Sequence, residues 1–172
     1  DLRRTELRTL CDKHRKNDGT FDCLVPSSGG KDSGVVAHML KYEFNMNPLT
    51  VTWAPHLYTD IGFQNHQAHI HKGNLANILV TPPGDIHRKL TKLAFENLGD
   101  PFLPFIFGQN NMPLQIAERY DVKLIFYGEN SEVEYGGNMH DAYVPTRDWR
   151  FKNNKILMSG MPPEEFLKYG IT

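Results

Sequence analysis

The stretch Phe21-Asp22-Cys23-Leu24-Val25-Pro26-Ser27-Ser28-Gly29-Gly30-Lys31-Asp32-Ser33-Gly34-Val35-Val36 decides how the rest of the chain is read. Its first five residues are a short apolar run suited to a buried strand. Val35, Val36, His38, Met39 and Leu40 then recur at helical spacing. Between strand and helix lies Ser28-Gly29-Gly30-Lys31-Asp32-Ser33. Two adjacent glycines let a backbone approach an anion closely and turn its N–H groups inward. The helix that follows adds the positive end of its dipole. Ser28 and Ser33 offer hydroxyl donors, and Lys31 a mobile point charge suited to phosphate. Asp32 is the odd member, because a carboxylate beside a phosphate needs a metal ion or a structural hydrogen bond to justify it.

Upstream, Leu2, Leu7, Leu10 and Cys11 among charged residues predict an amphipathic helix over 2–17, closed by Asn17-Asp18-Gly19. Downstream, Pro48 introduces a strand over 49–53, rich in β-formers. Thr59 or Asp60 can cap a helix running to about Lys72, with Gly73-Asn74 closing it. Residues 77–81 read as a third strand stopped by Pro82-Pro83, and Ile86, Leu90, Leu93, Ala94 and Leu98 mark a helix with one apolar stripe. Residues 100–111, aromatic and proline-broken, read as loop, 114–120 as a short helix and 123–127 as a fourth strand. Residues 129–160 are polar and aromatic, with no periodicity that assigns an element.

Strands alternating with helices predict an α/β fold, an open, mostly parallel twisted sheet with helices on both faces. Such a sheet binds ligands beyond the carboxyl ends of its strands. The residues just after Val25, Trp53, Thr81 and Tyr127 are therefore the informative ones.

Composition narrows the field. The chain has 172 residues, of which 40% are apolar and 11% aromatic, enough for one domain with a real core. With 19 basic against 20 acidic side chains the formal charge is −1, which disfavours nucleic acid as a partner. No apolar run approaches the ~20 residues that span a bilayer, and the first residues show no basic-then-apolar signal pattern. Cys11 and Cys23 have no metal-ligand spacing, so a reducing, cytoplasmic location is expected. The chain starts at Asp1 rather than Met and reads as a segment of a longer protein.

The glycine loop is neither GxxxxGK[ST] nor GxGxxG. It matches the SGGxDS signature and so resembles the PP-loop ATP pyrophosphatases, which split ATP into AMP and pyrophosphate. The likeness extends further. Asp60-Ile61-Gly62, residues 77–82, Ala94-Phe95-Glu96-Asn97-Leu98-Gly99-Asp100-Pro101-Phe102, and Phe126-Tyr127-Gly128-Glu129-Asn130-Ser131-Glu132-Val133-Glu134-Tyr135-Gly136-Gly137 together resemble the N-acetyl sugar amidotransferases of lipopolysaccharide O-antigen and nonulosonate biosynthesis. The resemblance implies ATP and Mg²⁺ as cofactors and an N-acetyl sugar, nucleotide-linked, as substrate. It also implies separate glutaminase and cyclase-like subunits that supply ammonia. The expected organisation is an N-terminal helix and turn over 1–20, an ATP-binding catalytic domain over 21–150, and the start of a C-terminal extension over 151–172.

The resemblance implies site roles residue by residue. Ser28, Gly29, Gly30 and Ser33 would cradle the β- and γ-phosphates with Lys31 assisting, and Lys31, Asp32 and Ser33 would form the catalytic loop. Thr52 and Trp53, ending the second strand, would read adenine largely through backbone groups. Gly128 and Glu129 would lie near ribose and α-phosphate, with Asn130 and Tyr135 towards the substrate. Asp32 and Glu134 are the candidate metal ligands, the latter by likeness to the segment after the corresponding strand in ammonia-dependent NAD synthetases. Glu129, Glu132 and Glu134 also read as solvated loop charges.

His87 and Arg88, after the third strand, are candidate substrate contacts; the plainer reading is a surface helix start. His66, His69 and His71 read as surface or capping histidines, since no third metal ligand accompanies them. A tRNA-modifying PP-loop enzyme would want a basic face and often CxxC pairs, both absent. The loop is also compatible with another ammonia-dependent ligase and with a non-catalytic nucleotide-binding module.

Overall fold

A computed structural model describes residues 2–134, 139–140, 143–144 and 163–170. The chain divides into two units, Asp1–Thr81 with Gln109–Asn130, and Pro82–Gly108 with Ser131–Thr172.

In the first unit, α1 (Leu2–His14) precedes β1 (Cys23–Pro26), α2 (Lys31–Tyr42), β2 (Pro48–Trp53), α3 (Asp60–His71) and β3 (Ala76–Val80). The sheet order is β1-β2-β3, all parallel, with Leu24 opposite Leu49 and Leu49 opposite Ala76. The expected fourth strand is reduced to one parallel bridge, Leu24 to Ile125, on the other side of β1. Leu24 donates to the Leu124 carbonyl and Phe126 donates to the Leu24 carbonyl, both at 2.9 Å. The chain thus winds outward from β1 to β3 and returns to β1's opposite edge. That reversal is the topological switch at which open α/β sheets form a ligand crevice.

Alternation along β1 explains the two-sided burial. Cys23 and Val25 join Cys11, Ala37, Leu40 and Phe44 on one face of the sheet. Leu24 joins Leu49, Val51, Ile116, Ala117 and Val122 on the other. Helices therefore cover both faces, as expected. Leu24 and Val25 are fully buried, each contributing about 1.5–3 kcal/mol relative to exposure. Buried Asp22 joins the loops below the sheet, accepting from the backbone N–H of Lys16 and of Asn47, each at 2.7 Å. The thiols of Cys11 and Cys23 are buried as well, and burial pushes Cys23 up to about 12. Neither supplies a thiolate nucleophile near neutral pH.

The second unit contains α4 (Gly84–Leu98), which Gly99 closes in the left-handed conformation by donating to the Phe95 carbonyl at 2.9 Å. It also contains α6 (Ser131–Glu134) and a 3₁₀ helix over Pro163–Tyr169. Between α4 and α6 runs α5 (Leu103–Arg119), whose residues from Gln109 onward belong to the first unit. It corrects the reading of 100–111 as loop and of 114–120 as a separate short helix. Pro104 lies in the first turn, where the missing N–H costs nothing. Pro113 is tolerated inside the helix, and next to it Ile116, Ala117 and half-buried Met112 pack onto the sheet. That packing outweighs the breaker signal. No helix among the described residues is long and apolar enough to cross a membrane.

Candidate functional site

The segment after β1 climbs from the sheet into α2. The Ser27 backbone N–H donates to the Val51 carbonyl at 2.8 Å, holding the start of the loop at the carboxyl end of β2. Gly29 then takes φ +85°, and Gly30 caps α2 with no side-chain hydrogen bond. Capping of this kind leaves the first turn to an incoming acceptor, the arrangement that suits an anion. Ser28, Gly30, Lys31 and Asp32 are exposed around it, and Ser33 is half-buried.

Two neighbours press on this loop, backbone against backbone. A Cβ on Gly29 would stand 2.7 Å from the His66 Cα of α3, and one on Gly128 would stand 2.8 Å from the Ser33 N and 2.9 Å from the Asp32 carbonyl carbon. The structure therefore brings Gly128, predicted near the α-phosphate, onto the turn that carries Lys31, Asp32 and Ser33. Glu129 and Asn130 follow it in exposed positions.

Lys31 Nζ contacts both Asp32 carboxylate oxygens, at 2.7 and 2.9 Å. This pairing is a partial answer to the puzzle of the carboxylate beside a phosphate loop. Among the described residues no group of three metal-ligating side chains forms. An exposed carboxylate such as Asp32 suits a magnesium ion that draws most of its ligands from phosphate oxygens and water rather than from a protein-built cage.

At the end of β2, the Thr52 side chain is committed inward. Its Oγ1 lies 3.2 Å from His66 Nε2 and accepts from Asn77 Nδ2 at 2.9 Å. Trp53 is half-buried. In the loop beyond it the Tyr58 hydroxyl is buried with no hydrogen-bond partner among the described residues.

Two of the three α3 histidines depart from the surface or capping reading. His66 is only 2% exposed and His69 is half-buried; His71 alone is exposed. His69 Nε2 lies 3.0 Å from Ser27 Oγ, which in turn lies 3.1 Å from Ser33 Oγ. Sequence reasoning therefore missed Ser27, His66 and His69. The available signal was spacing: Gly62, His66 and His69 share one face of α3, a small-and-polar stripe where an apolar one would be usual. Thr59 caps that helix, accepting from Gly62 N at 3.0 Å, as anticipated.

Burial holds both imidazoles below the ordinary histidine range, and His66 adds a further downward push on His69. Each is therefore neutral in the native state near pH 7. The unfolded chain binds protons first as pH falls through about 6.5, so stability is lost below that pH and is intact above it. The urea midpoint is expected to fall between about pH 7.5 and about pH 5.5. The drop should shrink in the His66→Gln/His69→Gln double variant; an equal drop in both proteins would assign it to other groups.

The other predicted residues belong to the second unit. His87 is buried, Arg88 is exposed, and Glu134 is exposed at the end of α6. Tyr135 lies outside the described residues.

No family model matches the chain, and no curated protein matches it significantly. Solved structures do. An NH3-dependent NAD synthetase from Campylobacter jejuni, in complex with the nitrate ion, is similar with a TM-score of 0.57 at 13% identity, over 78% of this chain and 58% of that one. An NMN synthetase from Francisella tularensis is similar with a TM-score of 0.53 at 15% identity, over 74% of this chain and 53% of that one. The chain thus spans somewhat more than half the length of the solved chains it matches. At such identities the likeness is one of fold, an open parallel α/β sheet flanked by helices like that of the NAD synthetase.

Proposed function

We propose that the chain is the ATP-binding core of an ammonia-dependent amidotransferase that converts the acetamido group of an N-acetyl sugar into an acetamidino group. One observation carries the ATP-binding part. The SGGKDS turn stands at the switch point of a parallel sheet, opens a helix without a side-chain cap, and is clasped by α3 and Gly128. The sugar acceptor rests on the sequence resemblance. The buried Tyr58 hydroxyl, with no partner among the described residues, offers a donor for a polar ligand group at the exit of β2.

The chemistry follows from the amide. Its carbonyl is a weak electrophile and oxide a very poor leaving group. Attack of the amide oxygen on the α-phosphorus forms a P–O bond, breaks the bond to the β-phosphate oxygen and releases pyrophosphate. Ammonia then adds to the imidate carbon, AMP leaves with the former amide oxygen, and an amidine remains. The turn's N–H groups, Ser28 and Ser33 would hold the β- and γ-phosphates in line. Lys31 would neutralise charge growing on pyrophosphate. A magnesium ion, held by the phosphates with Asp32, would supply additional charge neutralisation; Glu134 is a candidate ligand by the sequence likeness alone. The sugar, its nucleotide carrier and the ammonia-supplying subunits are part of the same proposal.

Incubating the protein with Mg²⁺, ATP, ammonium and nucleotide-linked N-acetyl sugars is expected to release AMP and pyrophosphate. It should also yield a sugar product lighter by the difference between an oxygen atom and an imino group. Formation of ADP in place of AMP overturns the mechanism. AMP release that depends on ammonium with a different acceptor, and with no amidino sugar, favours a second reading as another ammonia-dependent ligase, which the name of the Campylobacter protein supports.

A further inference from the structure

Ser27 precedes the SGGKDS signature and is only 6% exposed, yet its hydroxyl is the junction of the loop. Ser27 Oγ lies 3.0 Å from His69 Nε2 and 3.1 Å from Ser33 Oγ. It also accepts a long bond from the Gly29 N–H at 3.4 Å. A hydroxyl has one proton to give, so Ser27 donates either to His69 or to Ser33. The choice propagates to Ser33.

If His69 carries its proton on Nε2, it donates to Ser27, and Ser27 donates to Ser33 Oγ. The Ser33 proton is then left to point outward to an anion, or to the Gly30 carbonyl 3.3 Å away. If His69 carries its proton on Nδ1, the chain runs backwards. Ser27 donates to His69, Ser33 donates to Ser27, and Ser33 turns lone pairs towards the place where a phosphate oxygen would bind. A phosphate oxygen rejects that arrangement, because two acceptors face each other.

We propose that His69 is a positioning residue of the phosphate loop: as the Nε2–H tautomer it makes, through Ser27, the Ser33 hydroxyl a donor to bound phosphate. The inference rests on the ATP-binding reading above. The fold supports it independently, because the register of α3 against the loop is fixed at two points. The His66 backbone closes on Gly29, and His66 Nε2 reaches the Thr52 hydroxyl at 3.2 Å. One turn further along the same face, His69 is delivered to Ser27.

The test is calorimetric titration of the full chain with Mg-ATP and, separately, with pyrophosphate. His69→Ala and Ser27→Ala are each expected to weaken binding about tenfold, the worth of one charge-assisted hydrogen bond. The Ser27→Ala/His69→Ala double variant should be no weaker than either single one, since the three groups act as one chain. His69→Gln, which keeps an N–H donor, should recover most of the affinity. Imidazole ¹⁵N shifts of the wild-type protein should report the Nε2–H tautomer. Additive losses in the double variant, a His69→Gln as weak as His69→Ala, or the Nδ1–H tautomer each overturn the proposal. A wild-type chain that binds ATP, with His69→Ala binding equally tightly, overturns this inference alone. A wild-type chain that binds neither ATP nor pyrophosphate overturns the ATP-binding reading and this inference with it.

Discussion

Replacing Gly128 by alanine is expected to lower the rate of ATP cleavage by on the order of a hundredfold while leaving a folded protein. Gly128 has an ordinary backbone conformation for any residue, so the effect is purely one of space. The new Cβ would stand 2.8 Å from the Ser33 N and 2.9 Å from the Asp32 carbonyl carbon, and real Cβ atoms do not approach backbone so closely. No flexible side chain can swing aside, so the turn itself must move. Such overpacking costs about 1–3 kcal/mol of stability. On the proposed function catalysis suffers more, because the displaced turn would be the one holding the triphosphate in line, where a shift of about 1 Å is costly. Thermal unfolding and AMP release measured on the same sample separate the two effects. A variant that keeps wild-type turnover would show that the turn is not the phosphate site.

The second large effect belongs to Gly29. There an alanine meets both a conformational and a steric obstacle: φ is +85°, and its Cβ would stand 2.7 Å from the His66 Cα. An L-residue in that region costs about 1–2 kcal/mol before any clash, and the collision with α3 raises the expected loss to about 2–4 kcal/mol. ATP binding should fall at least about tenfold, because α3 and the loop can no longer close on each other. Gly30 is the internal control. A Cβ there meets only the Ser28 Oγ, at 3.3 Å, a group able to rotate away, so Gly30→Ala should unfold close to the wild-type midpoint. Equal destabilisation at positions 29 and 30 would contradict this account.

That contrast also marks how far the sequence could be read. Two adjacent glycines suggest an anion loop, and the strand and helix expected around them from Val25 and Val36 are present as β1 and α2. Which glycine carries the constraint depends on α3, a contact between segments far apart in sequence, and no local pattern encodes it. The parallel sheet was legible because Leu24 sits in a short apolar run, and Val51 and Ile78 in runs rich in β-branched residues, each bounded by proline or glycine. The long α5 was not, because Pro104 and Pro113 count as breakers in any local window, whereas its position is set by Ile116 and Ala117 packing on the sheet. His66 and His69 were read by the general exposure of histidine. Their burial follows from hydroxyl partners on β2 and after β1 that only the folded chain supplies.

The single bridge between Leu24 and Ile125 joins residues about a hundred positions apart. Pairings so distant in sequence carry a loop-closure cost that grows with the length of chain between them. Gly128 sits three residues beyond that bridge, so the turn around Ser33 acquires its final neighbour only once this closure is made. During synthesis, the strand and helix that frame the glycine loop leave the ribosome long before the segment that completes it. A nascent chain would therefore carry the glycine loop before it carries the neighbour, Gly128, that closes on it.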